Sequence, residues 1–521
     1  MGSRRTAGLA IICALSSLAL QTSAARQYFE QARQFFESRR LDDAQTAAEK
    51  AAAADPRMGD AEILLGLIAT VRTQFGEAEK HFSRAVALEP KNYQAHAYLG
   101  STYLQQKRLS DAAGAFRTVL QLSPGNAAAN YNLGVIALAQ QLPADAVRHF
   151  EIAAHADPSD AAAWIGMLES QLMLHQSRDV EQTARRLGTL LDDRDPRLFQ
   201  VASLLAHHGD SAAAIPMMER ARRAFPQSYD VSYNLALAYS QTAQYDSAVQ
   251  ALQAFTGPQG KAEAFDLLGS IEEKRAHPDA AEQAFREASL HDPANEDYGF
   301  DYANSLLQHE KLEPAIGAFR AAVSGLPKSA KLRIGLGSAC YLSGDYPCAV
   351  EELLEAIKLK PDSAPAYFLL GEAYDSAEQF QPAIQTALHA YLKTTPHDAW
   401  AYYHYGAILF ARAQAAGSSG NQEAIANLNA ALRLNPRFAE PYLQLGLIAL
   451  AQGETEEGIR ALERAVALDP GLATAHYRLA LAYQKTGKTE RGKEELDRFR
   501  ALKSENRYRG RILDSLGTMG H

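Results

Sequence analysis

The chain has 521 residues, of which 47 % are hydrophobic and 22 % charged, and its formal net charge at pH 7 is −9. This hydrophobic fraction is typical of folded proteins and excludes a chain that is disordered along its whole length. The acidic balance argues against a protein that binds nucleic acid along its length, because such binding depends on clustered lysine and arginine.

The N-terminus has the order of a secretory signal peptide. The short basic start, MGSRR, precedes an apolar run over 7–20, and the small residues of QTSAA follow. Such a run is shorter than the roughly 20 residues that a membrane-spanning helix needs. We therefore predict a signal peptide over 1–25 with cleavage near Ala24 or Ala25, no direct membrane insertion after cleavage, and a periplasmic or cell-envelope location. An uncleaved signal that anchors the protein in the membrane is the alternative.

The stretch AYLGSTYLQQKRLSDAAGAFRTVLQLSP, residues 97–124, predicts two short antiparallel helices. Leu99 and Tyr103 lie four residues apart, as do Ala112 and Phe116, so each pair shares one helical face. The polar segment between the pairs suits a turn, and the final proline ends the second helix. One such hairpin cannot bury its apolar face alone, so it needs copies on either side.

The copies are present, with a period of 34 residues over most of the chain. Prolines close them at 56, 90, 124 and 158, at 293, 327, 361 and 396, and at 436 and 470. In the copies with the clearest pattern, the first helix carries a Leu-Gly pair: Leu65-Gly66, Leu99-Gly100, Leu133-Gly134, Leu268-Gly269, Leu336-Gly337, Leu370-Gly371 and Leu445-Gly446. An alanine and a large residue four positions later recur in the second helix. The sequence thus resembles the tetratricopeptide repeat (TPR) family.

This resemblance implies an all-α fold, a right-handed superhelical α-solenoid of about 13–14 antiparallel helix-turn-helix hairpins. We expect an N-terminal TPR block at 26–195, irregular TPR-like repeats at 196–260, and a C-terminal TPR block at 261–504. The proline spacing changes in the middle segment, which is either a hinge or a set of drifted repeats that stack normally. Residues 505–521 are expected to form a polar, basic tail.

Two cysteines, Cys340 and Cys348, flank the predicted turn of one hairpin. Facing positions on a hairpin come within reach of a disulfide, which an oxidising compartment would form. The alternative is a pair of buried free thiols that pack as small hydrophobic residues. The sequence leaves both open.

A longer connection is expected over 411–424, where 40 residues separate the closing prolines and the residues GSSG form a flexible stretch. A surface loop without a role is the default interpretation of such an insertion.

The sequence contains no motif that indicates catalysis. The patterns HExxH, GxxxxGK[ST] and GxSxG are absent, and the 15 histidines are scattered without the spacing of metal ligands. The repeats also leave little room for a separate catalytic domain. We predict that the protein is not an enzyme and uses no cofactor and no metal.

In TPR proteins the first helix of each hairpin lines a concave groove, which implies where a partner would bind. The position two before the Leu of the Leu-Gly pair, or its equivalent, is aromatic in several copies, and the next position is often polar. Aromatic rings supply contact area and amides can hold a peptide backbone, although such rings also pack between hairpins. The predicted protein-binding residues are Tyr131, Asn132, Tyr233, Asn234, Phe300, Asp301, Phe368, Tyr403, His404, Tyr442, Gln444, Tyr477 and Arg478.

The resemblance and the predicted signal together imply a non-enzymatic scaffold that binds a peptide segment or helix of partner proteins in the cell envelope. The alternative is a substrate-recruiting or regulatory subunit of an envelope enzyme, such as a glycosyltransferase or protease, or of secretion or pilus assembly machinery. In either case we expect protein or peptide partners and no nucleic acid.

Overall fold

A computed structural model describes residues 23–418 and 422–502, which form 28 α-helices. The described residues contain no strand, and nearly all successive helices pack against each other. This confirms the all-α solenoid of helical hairpins that the sequence predicts. The predicted tail at 505–521 and all but the last three residues of the predicted signal peptide lie outside the described residues.

The chain divides into two compact units between Thr242 and Ala243. This division lies within the segment 196–260, and the three predicted blocks remain a prediction. The helices of the first unit are α1 (23–37), α2 (Leu41–Ala54), α3 (Gly59–Val71), α4 (Phe75–Leu88), α5 (Tyr93–Gln105), α6 (Leu109–Leu122), α7 (Ala127–Ala139), α8 (Pro143–Ala156), α9 (Ala161–Met173), α10 (Ser177–Leu190), α11 (Pro196–His207), α12 (Ser211–Ala224) and α13 (Tyr229–Gln241).

The second unit has fifteen of the described helices. They are α14 (Tyr245–Leu252), α15 (Ala262–Lys274), α16 (Pro278–His291), α17 (Glu296–Gln308), α18 (Leu312–Gly325), α19 (Ala330–Ser343), α20 (Tyr346–Leu359), α21 (Ala364–Ala373), α22 (Gln381–Thr394), α23 (Ala399–Ala415), α24 (Gln422–Leu434), α25 (Ala439–Gln452), α26 (Thr455–Leu468), α27 (Ala473–Lys485) and α28 (Thr489–Leu502). Helix α23 has 17 residues, so part of the extra sequence over 411–424 extends this helix rather than its turn.

The recurring glycine of the first helix makes room for the phenylalanine of the second. A Cβ atom added to Gly66 would lie 2.5 Å from the Phe82 ring, and one added to Gly134 would lie 2.8 Å from the Phe150 ring. The Phe150 ring also packs against Gly166 of the next hairpin, where an added Cβ would lie 2.6 Å away. One aromatic ring therefore joins the two helices of its own hairpin to the first helix of the next.

A second recurring contact ties each closing proline to the helix that follows it. The side chain six residues after the proline reaches back to the proline carbonyl in several repeats. The contacts are His96 to Pro90 at 3.0 Å, Trp164 to Pro158 at 3.3 Å, Arg333 to Pro327 at 3.1 Å, Tyr367 to Pro361 at 3.1 Å, and His476 to Pro470 at 2.9 Å. Different donor groups thus satisfy the same backbone acceptor, which fixes the turn between hairpins.

Many turns inside the hairpins contain one residue with positive φ, and this residue is often not glycine. Thr73, between α3 and α4, has φ of 60°. A β-branched side chain is strained there, because its Cβ approaches the following carbonyl oxygen.

We expect Thr73→Gly to raise the free energy of unfolding of the first unit by about 0.5–1 kcal/mol, since glycine removes this strain. Trp164 lies in the first unit and Trp400 in the second, and the chain has only these two tryptophans. Urea unfolding followed by Trp164 fluorescence in a Trp400→Phe background measures the effect. Ser83→Gly, at an exposed position within α4, is the control and should destabilise by about 0.5 kcal/mol.

Candidate functional site

The first helices of three successive hairpins in the first unit form a groove. Helices α9, α11 and α13 enclose about 610 Å³, and the side chains that line it come only from these helices. Its lining residues are Ile165, Glu169, Gln200, Val201, Ser203, Leu204, Ala206, His207, Asn234, Leu237, Ala238 and Gln241. We call this the α9–α13 groove.

The α9–α13 groove combines apolar and polar side chains. Leu237 on α13 is 36 % exposed and supplies apolar surface to the groove. Gln200 and Gln241 also line the groove, and both are exposed. The Ser203 hydroxyl is buried and has no hydrogen-bond partner in the described parts of the chain. Apolar contact area flanked by amides is the chemistry that holds an extended peptide with an apolar side chain.

The predicted aromatic residues of the first unit are half-buried. Tyr131 on α7 packs edge-to-face against Phe150, with ring centroids 5.7 Å apart. Tyr233 on α13 lies 5.5 Å from the Tyr229 ring. Each ring therefore contributes to packing while part of its surface faces outward.

The amides beside these rings are engaged within their own helices. The Asn132 side chain donates to the Ala128 carbonyl and the Asn234 side chain to the Asp230 carbonyl, both at 2.8 Å. Asn234 nevertheless lines the α9–α13 groove. A peptide backbone would have to displace these intrahelical bonds before either amide could donate to it.

Two predicted binding residues of the second unit require correction. Phe300 is fully buried, because Phe319 packs against its edge at 5.8 Å and the Lys331 ammonium lies 4.6 Å from its ring centroid. His404 is 5 % exposed, and its burial lowers the pKa to about 3. Neither side chain offers surface to a partner, so we remove both from the predicted binding set.

The remaining predicted residues of the second unit keep some exposed surface. Phe368, Tyr403, Tyr442 and Gln444 are half-buried on α21, α23 and α25. Tyr477 and Arg478 on α27 are exposed, and the Tyr477 ring lies 5.1 Å from Phe499.

The first helices α15 and α17 carry a pair of half-buried carboxyl groups. Burial, together with the charges of Asp266 and Asp297, raises the pKa of Asp301 to about 7, although Lys331 opposes the shift. Burial and the Asp297 charge raise the pKa of Asp266 to about 6. Lys331 on α19 pairs with Asp297 at 2.5 Å, and its positive charge also opposes the raised pKa of Asp266 and Asp301.

An aromatic cluster spans α21, α23 and the start of α25. Trp400 lies 5.1 Å from Phe368 and 4.3 Å from Phe438, and Tyr403 lies 5.3 Å from Phe438. His404 lies beneath these rings, 3.5 Å from the Glu372 carboxylate.

Sequence reasoning missed several of these residues. Asp266 lies two residues before Leu268, at the repeat position where Tyr131 and Tyr233 lie in their own repeats. It was missed because the prediction was based on aromatic residues at this position. Leu237 lies four residues after Tyr233, and Val135 lies four residues after Tyr131. Residues four apart share a helical face, so the sequence could have predicted that both apolar side chains lie beside the aromatic rings. Trp400 was visible as one of only two tryptophans.

The two cysteines lie on either side of one hairpin turn, near the end of α19 and at the start of α20. Cys340 on α19 and Cys348 on α20 are joined in the structure as a disulfide, with Cα atoms 5.9 Å apart. Cys340 is fully buried, whereas Cys348 is half-buried.

None of the helices in the described ranges has both the length and the apolar character that a bilayer-spanning segment requires.

Comparisons with known proteins identify the repeat. Family models described as "Tetratricopeptide repeat" match residues 29–72 and 71–127, 104–172 and 205–271, and 474–502, and a model described as "TPR repeat" matches 337–375 and 446–487. A search of curated proteins finds no match.

Several solved structures are similar to this chain at low identity. PilF of Pseudomonas aeruginosa is 19 % identical with a TM-score of 0.35, and the match covers 43 % of this chain and 98 % of that one. PilW, described as a widely conserved type IV pilus biogenesis factor, is 17 % identical with a TM-score of 0.35, covering 40 % and 96 %. Yeast Tom70 is 12 % identical with a TM-score of 0.34, covering 95 % of each chain. Similarity at this level carries no argument about function.

Proposed function

Because the chain belongs to the tetratricopeptide repeat family, we propose that it is a non-enzymatic scaffold that binds a peptide segment of a protein partner along the first helices of its hairpins. The α9–α13 groove is the observation that supports this proposal best. It is built only from first helices, and it pairs an exposed leucine with exposed amide side chains. A partner residue with an apolar side chain would cover Leu237 and Leu204 while its backbone lies along Gln200 and Gln241.

The binding test uses selection from a random peptide library on the full-length protein, followed by fluorescence anisotropy of the selected peptides. We expect Leu237→Lys to weaken binding at least about tenfold, because it places a charge where apolar surface must be buried.

Ile152→Lys is the matched control. Ile152 is 46 % exposed on α8, a second helix of the same unit, and it does not line the α9–α13 groove. Selected peptides should bind this variant as they bind the wild type. Equal losses in both variants, or equal retention in both, would place the binding surface elsewhere and contradict the proposal.

We also propose that the protein is exported, with residues 1–25 as the signal. Cleavage near Ala24 or Ala25 would remove at most three of the described residues of α1, which extends to residue 37. Mass spectrometry of the protein from the source cells should therefore give an N-terminus at Ala25 or Arg26. An intact Met1 in the membrane fraction would instead support the anchored alternative.

A further inference from the structure

The two cysteines of the Cys340–Cys348 disulfide differ in how far they are exposed to solvent. Cys340 lies on α19 and is fully buried, whereas Cys348 lies in the first turn of α20 and keeps part of its surface exposed. The bonded residues are eight apart in sequence, so the bond closes a small ring around one turn rather than joining distant hairpins. Opening it therefore releases one hairpin turn and leaves the other hairpins of the unit covalently unchanged.

We propose that the Cys340–Cys348 disulfide is a reversible redox clip that a dithiol reductant opens while the protein stays folded. Because Cys348 keeps part of its surface exposed and Cys340 does not, the attack of a thiolate falls on the Cys348 sulfur, and the Cys340 sulfur is the leaving group. Attack at Cys340 is blocked because this residue has no exposed surface.

The exchange is balanced in atoms and electrons. The attacking thiolate forms a mixed disulfide with Cys348, the Cys340–Cys348 bond breaks, and Cys340 leaves as a thiolate that takes up a proton. The second thiol of the reductant then attacks the reductant's first sulfur, which is bonded to Cys348 in the mixed disulfide. This step releases the Cys348 thiol. Two electrons and two protons pass from the dithiol to the protein, and the reductant becomes a cyclic disulfide.

The turn retains its own support when the bond is open. Gly344 adopts the left-handed conformation with φ of 86°, and the Asp345 carboxylate caps α20 by accepting from the Cys348 backbone N–H at 3.1 Å. The Tyr341 and Tyr346 rings pack edge-to-face across the turn at 5.5 Å. After reduction, the Cys340 thiol remains buried as a small apolar group.

The clip acts on a helix that reaches the carboxyl pair of the second unit. Lys331, at the start of α19, pairs with Asp297 and opposes the raised pKa of Asp301. The disulfide joins the other end of α19 to α20. When the disulfide is reduced, this end of α19 is no longer covalently linked to α20 across the turn. An oxidising compartment favours the closed clip and a reducing one the open clip.

Asp345 provides a way to distinguish local opening from global unfolding. Its carboxylate oxygen and the two sulfurs all lie within 4.8 Å of one another, so its negative charge repels an incoming thiolate. Asp345→Asn removes the charge and keeps a residue that caps helices well. We expect this variant to be reduced about fivefold faster at low ionic strength, and the difference to shrink in high salt.

The experiment treats the oxidised full-length protein with dithiothreitol without denaturant, quenches with iodoacetamide, and identifies the modified cysteines by peptide mass spectrometry. The proposal predicts that Cys348 is alkylated in the folded protein, that Cys340 is alkylated only after denaturation, and that circular dichroism stays unchanged. Cys348→Ser should leave a buried Cys340 that does not react under native conditions.

Three results would overturn the proposal. The first is a reduction rate that equals the global unfolding rate and is the same in Asp345→Asn. The second is alkylation of Cys340 as fast as Cys348. The third is a protein that keeps both thiols free after treatment with oxidised glutathione, which would show that the bond does not form.

Discussion

Replacing Phe150 with alanine is expected to lower the free energy of unfolding of the first unit by about 3–5 kcal/mol, the cost of removing a buried aromatic ring. Phe150 is 1 % exposed, and its ring fills the space between Gly134 of its own hairpin and Gly166 of the next. The substitution therefore removes contacts within one hairpin and between two hairpins. Urea unfolding followed by Trp164 fluorescence in the Trp400→Phe background reports the loss, since Trp164 packs in the same cluster.

A double-mutant cycle with Gly134 tests the geometry directly. In the wild-type background Gly134→Ala should destabilise, because the added methyl group would lie 2.8 Å from the Phe150 ring. In the Phe150→Ala background the same methyl group enters the vacated space and should recover part of the loss. If Gly134→Ala has the same sign in both backgrounds, the ring does not occupy this space. Phe225→Ala, at a position that is 41 % exposed in the same unit, is the control and should cost far less.

The contact between Gly134 and Phe150 explains why the fold could be predicted from the sequence. A period of 34 residues brings a glycine of one helix opposite a large side chain, which is a phenylalanine in four of the Leu-Gly copies and a leucine in two, and steric fit leaves few other arrangements. The same reasoning located the hairpin turns and the two cysteines that flank one of them.

The binding positions were harder to predict, because a position in the repeat does not determine how deeply a neighbouring hairpin covers it. Phe300 occupies the same repeat position as Tyr131, yet it is fully buried, with Lys331 of the next hairpin and Phe319 packed against its ring. His404 is likewise buried beneath Trp400. Part of this burial comes from another hairpin, since Lys331 lies 31 residues after Phe300 and Glu372 lies 32 residues before His404, so no single repeat encodes it.

The extra residues over 411–424 show a second limit. The GSSG stretch indicates a flexible loop, but the sequence before it, ARAQAA, is rich in good helix formers. Helix α23 therefore continues to Ala415. Local propensity decided the end of this helix, whereas the repeat period alone would have ended it earlier.

Replacing Asp301 with asparagine is expected to stabilise the second unit at pH 8 by about 2–4 kcal/mol. The folded state raises the pKa of Asp301 from 3.8 to about 7, because the carboxyl is largely buried and lies near Asp266 and Asp297. Between these two pH values the unfolded chain has lost the proton that the folded chain still holds. The stability of the wild type therefore falls as the pH rises from about 4 to about 7 and stays low above that range.

The asparagine variant carries no charge at this position, so it should lose the part of this slope that Asp301 contributes, keep the part that the raised pKa of Asp266 contributes, and match the wild type near pH 4. Urea unfolding at several pH values, followed by Trp400 fluorescence in a Trp164→Phe background, measures both curves. Asp279→Asn is the matched control, because the Asp279 side chain is 94 % exposed in the same unit, and it should change stability by no more than about 0.5 kcal/mol. A variant less stable than the wild type at pH 8 would contradict the expectation. It would mean that Lys331 stabilises the ionised Asp301 in the folded protein by more than the cost of burying that charge.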